Sequence, residues 1–104
     1  MRQDPSAPPR FISEPVVPEA GSADIGAMTR GEPGLPKSFS WRDRRYEIAG
    51  VMRNWRTTGV DRGDTYVRRH WYEIETVSGE RMVIYCDRRD KRNRWRLYTV
   101  SGNL

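Results

Sequence analysis

The run Thr65-Tyr66-Val67-Arg68-Arg69-His70-Trp71-Tyr72-Glu73-Ile74-Glu75-Thr76, followed by Val77-Ser78-Gly79-Glu80 and Arg81-Met82-Val83-Ile84-Tyr85-Cys86, decides the fold. Its aromatic and β-branched residues alternate with period two, which is the signature of a strand. Tyr66, Tyr72 and Ile74 share one face, and Val67, Arg69 and Trp71 the other. Ser78-Gly79 reads as a hairpin turn. The strand after it, Arg81 to Cys86, is apolar on both faces: Met82, Ile84 and Cys86 on one, Val83 and Tyr85 on the other. That pattern places it centrally, with both sides covered.

Upstream, Phe39 and Trp41 point one way, Asp43-Arg44 forms a tight turn, and Tyr46 and Ile48 resume the alternation. At Gly50 the phase slips, because the next apolar residues, Val51 and Trp55, are odd-numbered. A β-bulge at Gly50 accounts for this. Residues 57–64 read as a polar loop. Downstream, a charged turn from Asp87 to Asn93 leads into a last strand, Arg94 to Val100. No segment has a helical period of comparable length. The expected fold is all-β, with five or six antiparallel strands forming a small barrel or strongly bent sheet. A flat sheet of this size would leave an apolar face in water.

The composition divides the chain. All seven prolines lie at or before Pro36, and all four tryptophans and five tyrosines lie after it. Residues 1–36 carry three arginines against five acids, a net of −2, whereas residues 37–104 carry sixteen basic residues against nine acids, a net of +7. Residues 37–104 are therefore expected to be a basic all-β domain. Residues 1–36 are a mostly disordered, Pro/Gly-rich segment, too poor in apolar side chains to offset its ordering entropy. Within it Phe11, Ile12, Val16 and Val17 form a short apolar cluster. This reads equally as an edge strand at 10–18, where Pro15 is tolerated, or as part of the tail. Residues 19–36 then form a flexible connector.

Several classes of function are excluded. A 104-residue chain holds one small domain. No apolar run reaches the ~20 residues of a membrane-spanning helix, and no secretory signal opens the chain. One cysteine forms no internal disulfide, which suits the cytoplasm, and one His with one Cys does not make a protein zinc site. There is no phosphate-cradling glycine loop, nucleophile elbow or His-Glu-x-x-His. His70 reads as a strand histidine at a polar surface and Cys86 as a small core residue. Glu73 and Glu75 suit cross-strand ion pairs with Arg81 or a last-strand arginine. Asp61, Asp64, Asp87 and Asp90 cap turns. The expectation is no catalytic residue, no metal and no cofactor; a metal-dependent hydrolase is the least favoured reading.

The positive signal is arginine interleaved with aromatics. Seventeen of the nineteen basic residues are arginine, the residue that holds phosphate in bidentate geometry. Arg88, Arg89, Arg92, Arg94 and Arg96 are the expected phosphate contacts, with Arg53, Arg56, Arg68 and Arg69 extending the surface. Trp55, Trp71 and Tyr98 are the candidate stacking rings. Small β-barrels use this combination on single strands. The competing reading is a solvated basic face with most tryptophans in the core.

Phe11-Ile12-Ser13-Glu14-Pro15, Trp41-Arg42-Asp43-Arg44-Arg45-Tyr46, Tyr85-Cys86-Asp87-Arg88 and Arg94-Trp95-Arg96-Leu97 resemble the motifs of an uncharacterised small bacterial family. Its members carry a Phe-x-x-Glu-Pro start, a Trp-Arg-Gly-Arg-x-Tyr hairpin and a closing Arg-Trp-x-Leu strand. Genes of that family often lie near those of error-prone, translesion-type DNA polymerases, so the resemblance implies an accessory role in DNA damage tolerance. This chain departs from the pattern at Asp43, where a turn glycine is usual, and at residues 57–64, which lack a tryptophan-rich loop.

Two functions are therefore expected. The first is a non-catalytic nucleic-acid-binding accessory module that favours single strands. The second is a protein-interaction module that docks an acidic partner, such as a polymerase subunit, through the N-terminal segment or an open strand edge.

Overall fold

In the computed structural model, residues 9–24, 33–61, 64–90 and 94–102 are described, without the side chains of 59–61 and 64–68. Seven strands follow in chain order: β1 (Arg10–Pro15), β2 (Val17–Pro18), β3 (Ser38–Trp41), β4 (Arg44–Asp61), β5 (Asp64–Thr76), β6 (Arg81–Asp87) and β7 (Trp95–Ser101). All pairings are antiparallel, in the order β1-β7-β6-β5-β4-β3-β2. The sheet curls into a half-barrel. The expected all-β class holds, with seven strands in place of five or six.

The β5–β6 hairpin runs in register from Arg69↔Asp87 to Glu75↔Arg81. Its turn is closed by the Gly79 amide donating to the Thr76 carbonyl at 3.0 Å and the Thr76 amide to the Glu80 carbonyl at 2.9 Å. Gly79 has φ 101°, a conformation that glycine adopts at no steric cost. The β3–β4 turn lies at Arg42-Asp43, one residue before the expected Asp43-Arg44, since Trp41 pairs with Arg44. Both turn residues have positive φ, 50° and 61°, as the two-residue turn matching right-handed strand twist requires. Side-chain alternation constrains the strands and is silent about which two residues turn.

Residues 57–61, expected in a loop, continue β4 and pair with β5 out to Asp61↔Asp64. Beyond Arg69, β5 has no pairing to β6, so this part is a two-stranded arm. Its polar sequence looks like a loop because an arm needs ladder hydrogen bonds and no apolar face.

β4 carries two bulges. One extra residue, Ala49, lies between the pairs Ile48↔Thr76 and Gly50↔Glu75, beside the expected slip at Gly50. A second, Met52, lies between Val51↔Ile74 and Arg53↔Glu73. The second bulge was not expected. It turns Trp55 to the face opposite Val51, and each bulge sharpens the bend of the strand.

The N-terminal residues supply two edge strands. β1 pairs with β7 and β2 with β3, so strands separated only by Val16 lie on opposite edges of the sheet. Residues 10–18 thus span the gap of the half-barrel. Val16 is buried, and its amide donates to the Trp95 carbonyl at 3.0 Å. Part of the expected connector folds back as well: Ala23 bridges Pro36, and the Lys37 amide donates to the Ser22 carbonyl. Residues 25–32 lie outside the described residues. The concave face holds the core: Val16, Phe39, Trp41, Tyr46, Tyr72, Ile74, Met82, Ile84, Cys86, Trp95, Leu97 and Val100.

Candidate binding face

A second aromatic assembly covers the convex face. Register places Trp55 (β4), Trp71 (β5) and Tyr85 (β6) side by side. The Trp55 and Trp71 rings are parallel, 3° apart, with centroids at 6.0 Å, and Trp71 meets Tyr85 at 4.6 Å. Tyr98 is the extra residue of a β7 bulge between Val83↔Thr99 and Ile84↔Leu97. It meets Trp71 edge-on at 5.1 Å, and Phe11 of β1 meets Tyr98 edge-on at 5.2 Å. Five rings from five strands therefore form one band.

Exposure varies along the band. Trp71 is buried, and its indole Nε1 donates to Thr57 Oγ1 at 2.9 Å. Trp55 is half-buried, Tyr98 is 37% exposed and Phe11 67%. Trp55, Trp71 and Tyr98 line an open groove of about 310 Å³ with Arg53 and Val83. The other two tryptophans, Trp41 and Trp95, are sealed in the core.

Arginines flank the band. The Arg53 guanidinium lies 4.7 Å from the Trp55 ring, and that of Arg69 lies 4.7 Å from Tyr85 and 6.0 Å from Trp71. Both also meet carboxylates: Arg53 Nε is 3.5 Å from Glu73, and Arg69 Nε donates to Asp87 at 3.2 Å. Glu73 thus pairs toward β4 instead of the expected Arg81 or last strand. Arg96 Nη2 donates to the Ser13 carbonyl at 3.1 Å, and the Arg89 amide donates to Asp87 Oδ1 at 3.0 Å. A more polar groove of about 460 Å³ runs between Arg69, Tyr85, Arg89 and Arg96.

The sequence-predicted contacts do not converge in one tract. Arg53, Trp55, Arg69, Trp71, Arg96 and Tyr98 belong to the convex face, and the Arg89 side chain lines its polar groove. Arg56 lies across from His70 on the concave side, and the positive charges of Arg88 and Arg94 reach the buried Cys86 thiol. The Arg68 side chain and Arg92 lie outside the described residues. The division follows from strand alternation, which sends neighbours in sequence to opposite faces. Sequence reading missed Tyr85 and Phe11 as members of the band. The Val83/Tyr85 alternation in β6 was the available signal for Tyr85, whereas Phe11 joins only through strand pairing with β7. His70, expected at a polar surface, is 8% exposed.

Burial pushes the Cys86 thiol above its usual pKa, against the pull of Arg94 and Arg88, so it is a core group and not a nucleophile. Among the described residues no three His, Cys, Asp or Glu side chains come together as a metal site. No helix is long and apolar enough to cross a membrane.

No curated protein and no solved structure matches this chain significantly. A family model does, over residues 5–102, a span that runs from before β1 to beyond β7 and so takes in both the half-barrel and the segment that spans its gap. The chain belongs to the family described as a domain of unknown function, DUF6504.

Proposed function

We propose that this protein is a non-catalytic module that binds single-stranded nucleic acid on its convex aromatic band. The observation that carries this reading is the Trp55–Trp71 stack with Arg53 over its half-buried outer ring. A flat indole presented beside guanidinium groups gives a base a surface to stack on and gives its phosphate a counter-charge. Such stacking tolerates any base. The net +7 of residues 37–104 supports attraction to a polyanion. The resemblance to a family encoded beside error-prone polymerases directs the role toward DNA damage tolerance.

Titration of oligothymidylate and of duplex DNA, at low and moderate salt, tests this reading through tryptophan fluorescence and polarisation. Single-strand binding should weaken steeply with salt, and W55A should reduce it. Absence of binding to any nucleic acid at low salt would discard the reading.

A second reading has its own observation. β3 pairs with β4 only up to Glu47, so among the described residues the outer edge of β4 from Gly50 to Asp61 has no partner strand. An open edge of that length accepts an added strand from another protein. This reading predicts capture of an acidic polymerase subunit with little affinity for nucleic acid.

A further inference from the structure

The concave side of the half-barrel has an open mouth where β4 and β5 run out past the β3 hairpin. Two cross-strand rows line it. One runs Asn54, Tyr72, Ile84, Leu97 and the next Arg56, His70, Cys86, Trp95. The apolar members of both rows close the inner end. Asn54, Arg56, His70 and Tyr72 remain around a basin of about 490 Å³, with Trp55 as one wall. Neither row contains a carboxylate. Asp87, the nearest acid in sequence, is turned to the convex face by its pairing with Arg69.

The basin therefore concentrates donors with one sign of charge. Arg56 has no ion pair among the described residues. The positive charges of Arg94 and Arg88 act on Cys86, the strand neighbour of His70. A guanidinium, an imidazole, a carboxamide and a phenol at one opening suit a tetrahedral oxyanion with several terminal oxygens better than a two-oxygen carboxylate. Trp55 also lines the convex groove, so its indole is the partition between the two sites.

We infer that this basin is a phosphate site that takes the phosphomonoester of a nucleotide, either free or at the end of a strand, while the nucleotide's ring lies against Trp55. The ring contact rests on the function proposed above; the phosphate contact does not.

His70 is the only histidine of the chain, so its Hε1 proton is a single NMR reporter inside the basin. Inorganic phosphate and thymidine monophosphate, titrated at low salt, should shift it saturably. Arg56→Gln should weaken both ligands by about tenfold or more, and Arg53→Gln on the convex face should not. Trp55→Ala should weaken the mononucleotide and leave inorganic phosphate unchanged. Oligothymidylates with 5′-phosphate and 5′-hydroxyl ends separate the two sources. A preference for the phosphorylated end assigns the site to strand termini, and equal binding assigns it to free mononucleotides. A His70 signal unmoved by phosphate and mononucleotide at millimolar concentration overturns the inference, as does equal loss in R56Q and R53Q. If 5′-hydroxyl oligothymidylate still quenches the tryptophans in that case, the inference fails and the convex-face reading stands.

Discussion

The Glu14 carboxylate accepts a hydrogen bond from the Trp41 indole Nε1 at 2.9 Å, joining β1 to the end of β3 across 27 positions of sequence. The same carboxylate takes a two-pronged contact from Arg42, whose Nε lies at 3.0 Å and Nη2 at 2.7 Å. Arg42 in turn lies over the Trp41 ring at 4.6 Å. These contacts fasten the segment that spans the half-barrel's gap to the β3–β4 turn.

Acid should release this fastening. Hydrogen bonds from Arg42 and Trp41 lower the Glu14 pKa from 4.5 to about 2. A carboxylate with a depressed folded-state pKa stabilises the fold fully above its unfolded value, and that contribution is lost as pH falls from about 4.5 toward 2. Urea denaturation between pH 2 and pH 7 should show wild type losing stability over this window. Glu14→Gln should lose less there while being less stable at neutral pH. Parallel acid limbs for the two proteins would contradict the assignment.

Asp43 sits at φ 61° in a turn position where glycine has no steric penalty. Asp43→Gly should raise the stability by about 0.5–1 kcal/mol, the left-handed cost of a non-glycine residue less the added chain entropy. The midpoint of chemical denaturation measures this, and a fall in the midpoint would contradict it.

Glu80 is 1% exposed at the β5–β6 turn. Thr76 Oγ1 and Ser78 Oγ donate to its Oε2, and Arg44 Nη2 lies 3.7 Å from Oε1. Burial opposes its ionisation, but these hydroxyls and the nearby guanidinium still hold its pKa below the usual carboxylate range. Glu80→Ala strands the buried Thr76 hydroxyl and should cost about 2–3 kcal/mol. Thermal melting checks this, and a loss within the noise would show that the turn closes without the carboxylate.

The two outer tryptophans should separate stability from binding. Trp71 touches Trp55, Tyr85 and Tyr98, and Trp71→Ala should cost about 3–5 kcal/mol. Trp55 is half-buried on the outer side of the stack, so Trp55→Ala should cost much less stability. It should instead weaken single-strand binding by about 1–3 kcal/mol. Denaturation and polarisation titrations on both variants test the split. Equal stability losses would make Trp55 a packing residue.

Much of the fold is legible because strand alternation is a local property. The period-two run in β5, the doubly apolar β6 and the Ser78-Gly79 turn each place residues correctly without knowledge of any partner strand. The arm at 57–61 is not legible, since its strands are held by ladder hydrogen bonds that leave no hydrophobic pattern. Nor is the Arg42-Asp43 turn, where non-glycine residues take the angles that usually announce glycine.

The candidate face divides in the same way. Aromatic and arginine content, with its confinement to residues 37–104, is written in the sequence, and so are the strands that carry it. Which ring and which guanidinium share a face is not. The bulge at Met52 turns Trp55 outward, the β7 bulge adds Tyr98, and pairing of β1 with β7 brings in Phe11. A one-residue slip in register reverses every side chain beyond it, and register is settled between strands distant in sequence. The chain by itself therefore determined an all-β domain rich in arginine and tryptophan. Only the paired and bulged sheet decided that its cations divide between two faces.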